Sequence, residues 1–209
     1  MKVALIGASG NVGSRVLAEL LSRGHAVTAI ARHPEKISAR SGVTPKAGDV
    51  HDKAALAPLL AGHDAVISAV RFSASDPKLL IAAIKEARVP RYLIVGGAGS
   101  LEVAPGKKLI DTPSFPEAYK PEAGAGGAFL ELLRGERDLD WTFLSPSALT
   151  GAGERTGKFR LSGDQLLTAD DGKSSISYED YAVALVDELE KPAHSRRRFT
   201  VGYRALPTH

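Results

Sequence analysis

The sequence predicts one α/β domain built on a doubly wound, mainly parallel sheet with helices on both faces. Three observations predict it. Short apolar runs alternate with helical patterns through the first half of the chain. Most of those runs are nearly all apolar, as in strands covered on both faces, and strands joined through helices are parallel with right-handed crossovers. A glycine-rich turn, last, joins the first strand to the first helix.

The elements follow in order. Val3 to Ile6 reads as a buried strand, and Val12, Val16, Leu17, Leu20 and Leu21 give the apolar face of the first helix, which Gly24 stops. Ala26 to Ala31 is a second strand, a short helical or irregular piece follows, and Val43 to Ala47 reads as a third strand. Asp52 caps a helix carrying Leu56, Leu59 and Leu60, with Pro58 as a kink near its start and Gly62 at its end. Ala65 to Val70 is a fourth strand. Asp76-Pro77 starts a helix with Leu80, Ile81 and Ile84 on one side, and Tyr92 to Val95 is a fifth strand. An irregular connection over 97–121 leads to a helix over about 122–136 and a sixth strand from Trp141 to Leu144. Residues 151–175 read as a loop holding a small hairpin, Phe159 to Leu161 against Gln165 to Thr168. Ser177 and Asp180 open the last helix as an S-x-x-D box, with Ala182, Leu185, Val186 and Leu189 inward, and Phe199 to Val201 closes the chain as a strand. Long irregular connections are usually functional, so the loops over 97–121 and 151–175 are the expected substrate side of a domain spanning 1–209.

Composition narrows the function. With 209 residues, 44% hydrophobic and 24% charged, the chain is an ordinary globular one. It has no cysteine, which excludes disulfides, thiolate metal sites and thiol nucleophiles. The six histidines (His25, His33, His51, His63, His194, His209) show no metal-binding spacing, so no metal is expected. A net charge of +3, from 27 basic and 24 acidic residues, is too small and dispersed for a nucleic-acid surface. Arg196-Arg197-Arg198 reads as a solvated turn. Gly7 cuts short the first apolar run, which is neither signal peptide nor membrane span; a cytoplasmic protein is expected. Ser145 lacks the G-x-S-x-G elbow of a hydrolase.

Of the 21 glycines, three stand in Gly7-Ala8-Ser9-Gly10-Asn11-Val12-Gly13, a G-x-x-G-x-x-G between strand and helix. A dinucleotide pyrophosphate needs backbone amides at a helix N-terminus with no side chains in the way. Gly7 makes the turn, Gly10 admits the phosphates and Gly13 packs the helix on the sheet. Where NAD-binding folds place an acid after the second strand, this chain reads Ala31-Arg32-His33. Arg32 can pair with a 2′-phosphate, which predicts NADP(H) in preference to NAD(H). Asp49 and Val50 would flank the adenine. Ala69, Val70, Gly96, Gly97 and Ala98 would line the crevice at the strand ends, and Ser145-Pro146 the nicotinamide pocket.

The segments GASGNVG, IARHPEKI, AGDVHD and WTFLSPSALTGAGERTG…ISYEDYA together resemble the atypical short-chain dehydrogenase/reductases. Within that group the chain is most similar to the NAD(P)H-flavin reductase branch, related to flavin/biliverdin reductase B and to NmrA-like proteins. The resemblance covers nearly the whole chain. It implies a Rossmann-like fold and NAD(P)H bound across residues 7–13, Arg32, Asp49-Val50 and the strand ends at 69–70, 96–98 and 145–146.

Ordinary short-chain dehydrogenases protonate an alkoxide with a Y-x-x-x-K pair. Tyr92, Tyr119, Tyr178, Tyr181 and Tyr203 are followed at that spacing by Gly96, Ala123, Ala182, Leu185 and Pro207. An alkoxide needs a positioned acid, but a flavin or quinone spreads the incoming charge and takes its proton from solvent. The expected reaction is therefore hydride transfer from NADPH to a conjugated acceptor, with FMN or FAD as candidate substrates. The alternative is an NmrA-like sensor that binds NADP(H) without turnover, and a third reading is an epimerase or carbonyl reductase with a relocated proton donor. Ser100, after the fifth strand, either bonds a substrate carbonyl catalytically or satisfies its own turn. The serine that flavin/biliverdin reductase B carries there aligns with Ala98 or Ser100. Tyr119 and Lys120 in the long loop are candidate substrate contacts, and Arg155 and Lys158 would meet an anionic substrate or sit at a hairpin tip.

Overall fold

The computed structural model describes residues 1–204; of the residues named above, His209 and Pro207 lie outside it. The first half follows the expected order: β1 (Lys2–Ile6), α1 (Asn11–Ser22), β2 (Ala26–Ala31), β3 (Val43–Ala47), α2 (Lys53–Leu60), β4 (Ala65–Ser68), α3 (Pro77–Glu86) and β5 (Arg91–Val95). The second half adds β6 (Glu102–Ala104), β7 (Lys107–Lys108), α4 (Lys120–Arg134), β8 (Asp140–Ser145), β9 (Leu149–Gly151), β10 (Arg160–Ser162), β11 (Ser175–Ser177), α5 (Tyr178–Glu190) and β12 (Arg197–Gly202).

Eight strands form one sheet in the order β10-β12-β8-β5-β4-β1-β2-β3, parallel throughout except for β10 on β12. The chain winds outward from β1 to β3, then returns to β4 and winds the other way. The crevice between β1 and β4 is thus the topological switch point, where such sheets bind ligands. Strand alternation divides the core. Val3 and Leu5 face α1 and α5 with Leu17, Leu20, Tyr181 and Leu185, whereas Ala4 and Ile6 face α2, α3 and α4 with Leu56, Ile84 and Phe129. Among the described residues no helix is long and apolar enough to cross a membrane.

The caps act largely as the residue types predict. Asp52 accepts from the Ala55 amide at 3.0 Å, Asp76 from the Lys78 amide at 3.0 Å, and Ser177 Oγ from the Asp180 amide at 3.0 Å. The S-x-x-D box is only half made, because Asp180 turns away from the Ser177 amide. Fully buried, it accepts from the Thr156 and Gly157 amides at 2.8 Å each, from Thr156 Oγ1 at 2.6 Å and from the Tyr203 hydroxyl at 2.5 Å. One carboxylate therefore fastens the 151–157 loop to α5 and to the segment after β12. Pro58 is not a kink at the start of α2: it is the sixth of eight residues, and the helix ends two residues later.

The expected hairpin within 151–175 does not form. Arg160–Ser162 pairs antiparallel with Thr200–Gly202, which lets β12 carry a neighbour on both sides, while Gln165 meets only Glu102 in an isolated bridge. Residues 97–121 also hold more structure than expected, with the β6–β7 hairpin and two 3₁₀ turns. The parallel pair β9–β11 had no counterpart in the sequence reading.

Arg155 is a structural side chain. Its Nε and Nη2 lie 2.8 and 2.7 Å from the two oxygens of buried Glu19 on α1, whose other guanidinium partner is Arg23. The hydrogen bond from Arg155 leads in holding the Glu19 carboxyl below the usual carboxylate range, against burial, with Arg23 adding to it. That stabilisation is complete above the unfolded value of 4.5 and is lost as pH falls through the lower folded value. Urea unfolding between about pH 6 and about pH 3 should show a smaller loss of stability for Glu19→Gln than for the wild type; equal slopes would contradict the pairing. Elsewhere Arg91 Nη2 meets Glu188 Oε1 at 3.1 Å, both buried, and Glu188 also accepts from the Ala193 and His194 amides and from His194 Nδ1. Glu188→Ala leaves the arginine with Asp140 alone and strands two amides, and should cost about 2–4 kcal/mol in urea unfolding; a cost below about 1 kcal/mol would mean that water replaces the carboxylate.

Candidate cofactor and acceptor clefts

The β1–α1 turn is built by contacts that exclude side chains. Gly7 sits at φ +85°, its amide on the Ile30 carbonyl at 2.9 Å, and a Cβ there would lie 2.4 Å from the Ala69 carbonyl oxygen. A Cβ on Gly13 would lie 2.0 Å from the Gly7 carbonyl oxygen. The start of α1 has no capping side-chain bond and no acidic residue in its first turn. Its leading amides and the positive end of its dipole are left available to an anion.

A cleft of about 310 Å³ opens above this turn at the switch point. Gly7, Ser9 and Gly10 form its floor, Arg32 and Val50 one wall, and Ala69 and Val70 the other. Sequence reasoning missed the further basic side chains on its rim, Lys36 and Arg71, and the imidazoles of His33 and His51. Lys36 had a readable signal, since it closes the short Pro34–Lys36 turn that directly follows Arg32-His33. Arg71 had none beyond following the fourth strand. Asp49 turns into its own loop, where Oδ1 accepts from the His51 amide at 2.8 Å. Ala8, Asn11, Val12 and Gly13 form the turn and helix start behind the floor.

Gly96, Gly97 and Ala98 continue β5, which lies between β4 and β8. Three strand spacings separate β1 from β8, about 14 Å at the usual spacing. Beyond Pro146 a second, larger cleft of about 1060 Å³ opens, lined by Ala148 to Glu154, Ser175 to Ser177, Tyr203, Tyr119 and Glu122. Glu122 ties the two clefts together. Its oxygens accept from the Phe72 amide at 2.6 Å and the Ser73 amide at 2.9 Å, in the segment that leaves Arg71. Burial opposes ionisation of Glu122, but the Ser73 and Phe72 hydrogen bonds and the charge on Arg71 hold its carboxyl below the usual range.

The remaining candidates are placed as follows. Tyr119 is 65% exposed on the rim of the larger cleft, at the threshold of α4. Lys120 is not on that cleft and its Nζ lies 2.6 Å from Glu117. Ser100 faces neither cleft: its Oγ accepts from Arg198 Nη1 at 2.9 Å, and the same nitrogen reaches buried Ser145 Oγ at 3.3 Å. The two serines are thus partners of a buried arginine, which Asp164 holds at 2.8 Å. The expected substrate-side loops supply Tyr119 and Gly151 to Glu154 to the larger cleft, but Tyr203 and Leu149 gave no signal in the sequence.

Comparison with known proteins agrees with this geometry. A family model described as NAD(P)H-binding matches residues 7–192. The uncharacterised Bacillus subtilis protein YwnB is 41% identical over 213 residues, which cover 96% of this chain and 98% of that one. A proposed epimerase from Bacteroides thetaiotaomicron is 45% identical, with a TM-score of 0.94 over 100% of this chain and 99% of its own. A proposed NADH-flavin reductase from Streptococcus pneumoniae is 39% identical, with a TM-score of 0.81 over 97% and 99% of the two chains. With its glycine turn at the switch point of a Rossmann-like sheet, the chain belongs to the NAD(P)H-binding family.

Proposed function

We propose that the protein is an NAD(P)H-dependent reductase of the atypical short-chain dehydrogenase/reductase kind, passing a hydride to a conjugated acceptor such as a flavin or quinone. When bound, the cofactor supplies the hydride from its nicotinamide ring. The chain's own residues bind and orient. The first-turn amides of α1 receive the pyrophosphate, Arg32 the 2′-phosphate of NADPH, and the ends of β5 and β8 carry the nicotinamide toward the larger cleft.

The observation that carries the reading is that, among the described residues, no lysine lines that cleft beside either of its phenols. Two phenols reach it, Tyr119 and Tyr203. Tyr203 donates its proton to Asp180 and is raised by burial and then by that bond. Tyr119 opens α4 where a lysine would be needed at the fourth place, and Ala123 stands there. With Ser100 and Ser145 turned onto Arg198, an alkoxide would have no committed donor. A quinone or flavin needs none: it takes two electrons and one hydrogen as hydride, and one proton from water, while NADPH becomes NADP⁺. A reduced nicotinamide is a cytoplasmic reagent, and the reading places the protein there.

Following NADPH absorbance with flavins and quinones tests the proposal. Acceptor-dependent oxidation is expected; tight NADP(H) binding with no oxidation by any acceptor would favour a sensor of the NmrA-like kind. Arg32→Ala should weaken NADPH about 10- to 100-fold, the equivalent of a charged hydrogen bond, and NADH by less than about threefold. Equal losses for the two cofactors would take Arg32 off the 2′-phosphate.

A further inference from the structure

The larger cleft contrasts in charge with the cofactor cleft. Arg32, Lys36 and Arg71 rim the cofactor cleft, as a phosphate-rich ligand requires. Among the described residues no lysine or arginine lines the larger one, whose charged side chains are Glu122 and Glu154. Of the cations that the sequence nominated as substrate contacts, Lys120 is paired with Glu117 and Arg155 with Glu19. Arg15, near the loop, pairs with Glu179 at 3.2 Å. Lys158 and Arg204 face an adjoining hollow that shares Glu154, Thr156 and Tyr203 with the cleft, so Glu154 stands at the boundary between them.

The cleft's surface suits a flat, apolar body. Tyr119 and Leu149 are 65% and 62% exposed, two of the five large apolar side chains most open to solvent, and both line this cleft. Ala148, Ala152 and Ile176 add apolar wall, and Gly151 presents bare backbone with open space where a side chain would stand, against which a planar ring can lie. A rigid phenol ring beside apolar wall holds conjugated ligands by stacking. Carboxylates on the cleft wall repel phosphate, sulfonate or carboxylate groups on the same ligand, Glu154 most directly, since Glu122 already meets the Phe72 and Ser73 amides and the charge of Arg71.

We infer that this cleft is the acceptor site and selects uncharged planar acceptors, quinones or phosphate-free flavins, over anionic ones such as FMN, with Glu154 and Glu122 as the discriminating charges and Tyr119 as the stacking surface. The inference rests on the reductase reading for its chemistry but not for its binding. The balance is that reading's own: a neutral quinone gains a hydride from NADPH and a proton from water, leaving NADP⁺ and the hydroquinone.

The experiment compares ring-matched pairs, riboflavin against FMN and menadione against its sulfonate, with NADPH at saturation. Flavin affinities are measured separately by fluorescence quenching with NADP⁺ present. The wild type should favour the uncharged member of each pair by about tenfold or more in kcat/KM, and riboflavin over FMN in Kd. Glu154→Lys should lower both ratios several-fold. Because each ratio is taken within one preparation, partial misfolding cancels. FMN used as well as riboflavin, or ratios that Glu154→Lys leaves unmoved, would overturn the inference while leaving the reductase reading standing. Selective riboflavin binding without turnover would support the cleft and overturn the reductase reading. No flavin binding at all would overturn the inference.

Discussion

Between β1 and α1 the backbone folds so tightly that a Cβ on Gly13 would stand 2.0 Å from the Gly7 carbonyl oxygen, and one on Gly7 2.4 Å from that of Ala69. The rest of the site depends on this approach. It seats the start of α1 directly over the ends of β1 and β4, at the switch point, with no capping side chain in front of its amides. It also places the mouths of β2 and β4 within reach of one ligand, so that Arg32 on one side and Arg71 on the other share a single cleft. A methyl group at either glycine would have to separate the helix from the sheet before it touched the ligand at all.

From that turn the molecule divides its charge. The cofactor half is cationic and gathered from loop residues that follow successive strands. The half around the larger cleft carries Glu122 and Glu154 on an otherwise mainly apolar lining, and its shape is kept by a buried carboxylate instead of a regular element. Asp180 fastens Thr156, Gly157 and Tyr203 from one point, and Glu179 takes the Gly153 amide at 2.9 Å. A loop with no helix or strand of its own over 152–159 can therefore form a wall, because its amides find carboxylates on α5. Glu122 plays a similar part at the junction, joining α4 to the segment that leaves the cofactor cleft.

What could be read from the sequence follows the distance over which each feature is encoded. The first five strands, their helices and the glycine turn rest on contiguous periodicity and local caps, and they stand where Val3 to Val95 placed them. The cleft at the switch point lies where the glycine turn and the strand ends put it: Gly7, Arg32 and Val50 follow strands whose ends the pattern located, although β4 stops at Ser68, two residues short of the expected Val70. The second half is encoded by distant partners. Arg160–Ser162 has the alternation of a hairpin arm, but its partner is Thr200–Gly202, some forty residues on. Arg155 looks like a substrate cation until Glu19, on the first helix, is known to be buried beside it. Ser100 and Ser145 look like site hydroxyls until Arg198 claims both. Tyr203 carries no motif, and it reaches the acceptor cleft only because β12 closes beside β8.

The claim at the centre of this account is that one dinucleotide crosses the switch point and delivers its nicotinamide to the cleft of Tyr119 and Leu149. A crystal structure with NADP⁺ bound tests it most directly. The account predicts the pyrophosphate on the amides at the start of α1, the 2′-phosphate on Arg32, and the nicotinamide beside Pro146 with one face open to that cleft. A nicotinamide turned out to solvent, or a pyrophosphate held away from the Gly7–Gly13 turn, would contradict it.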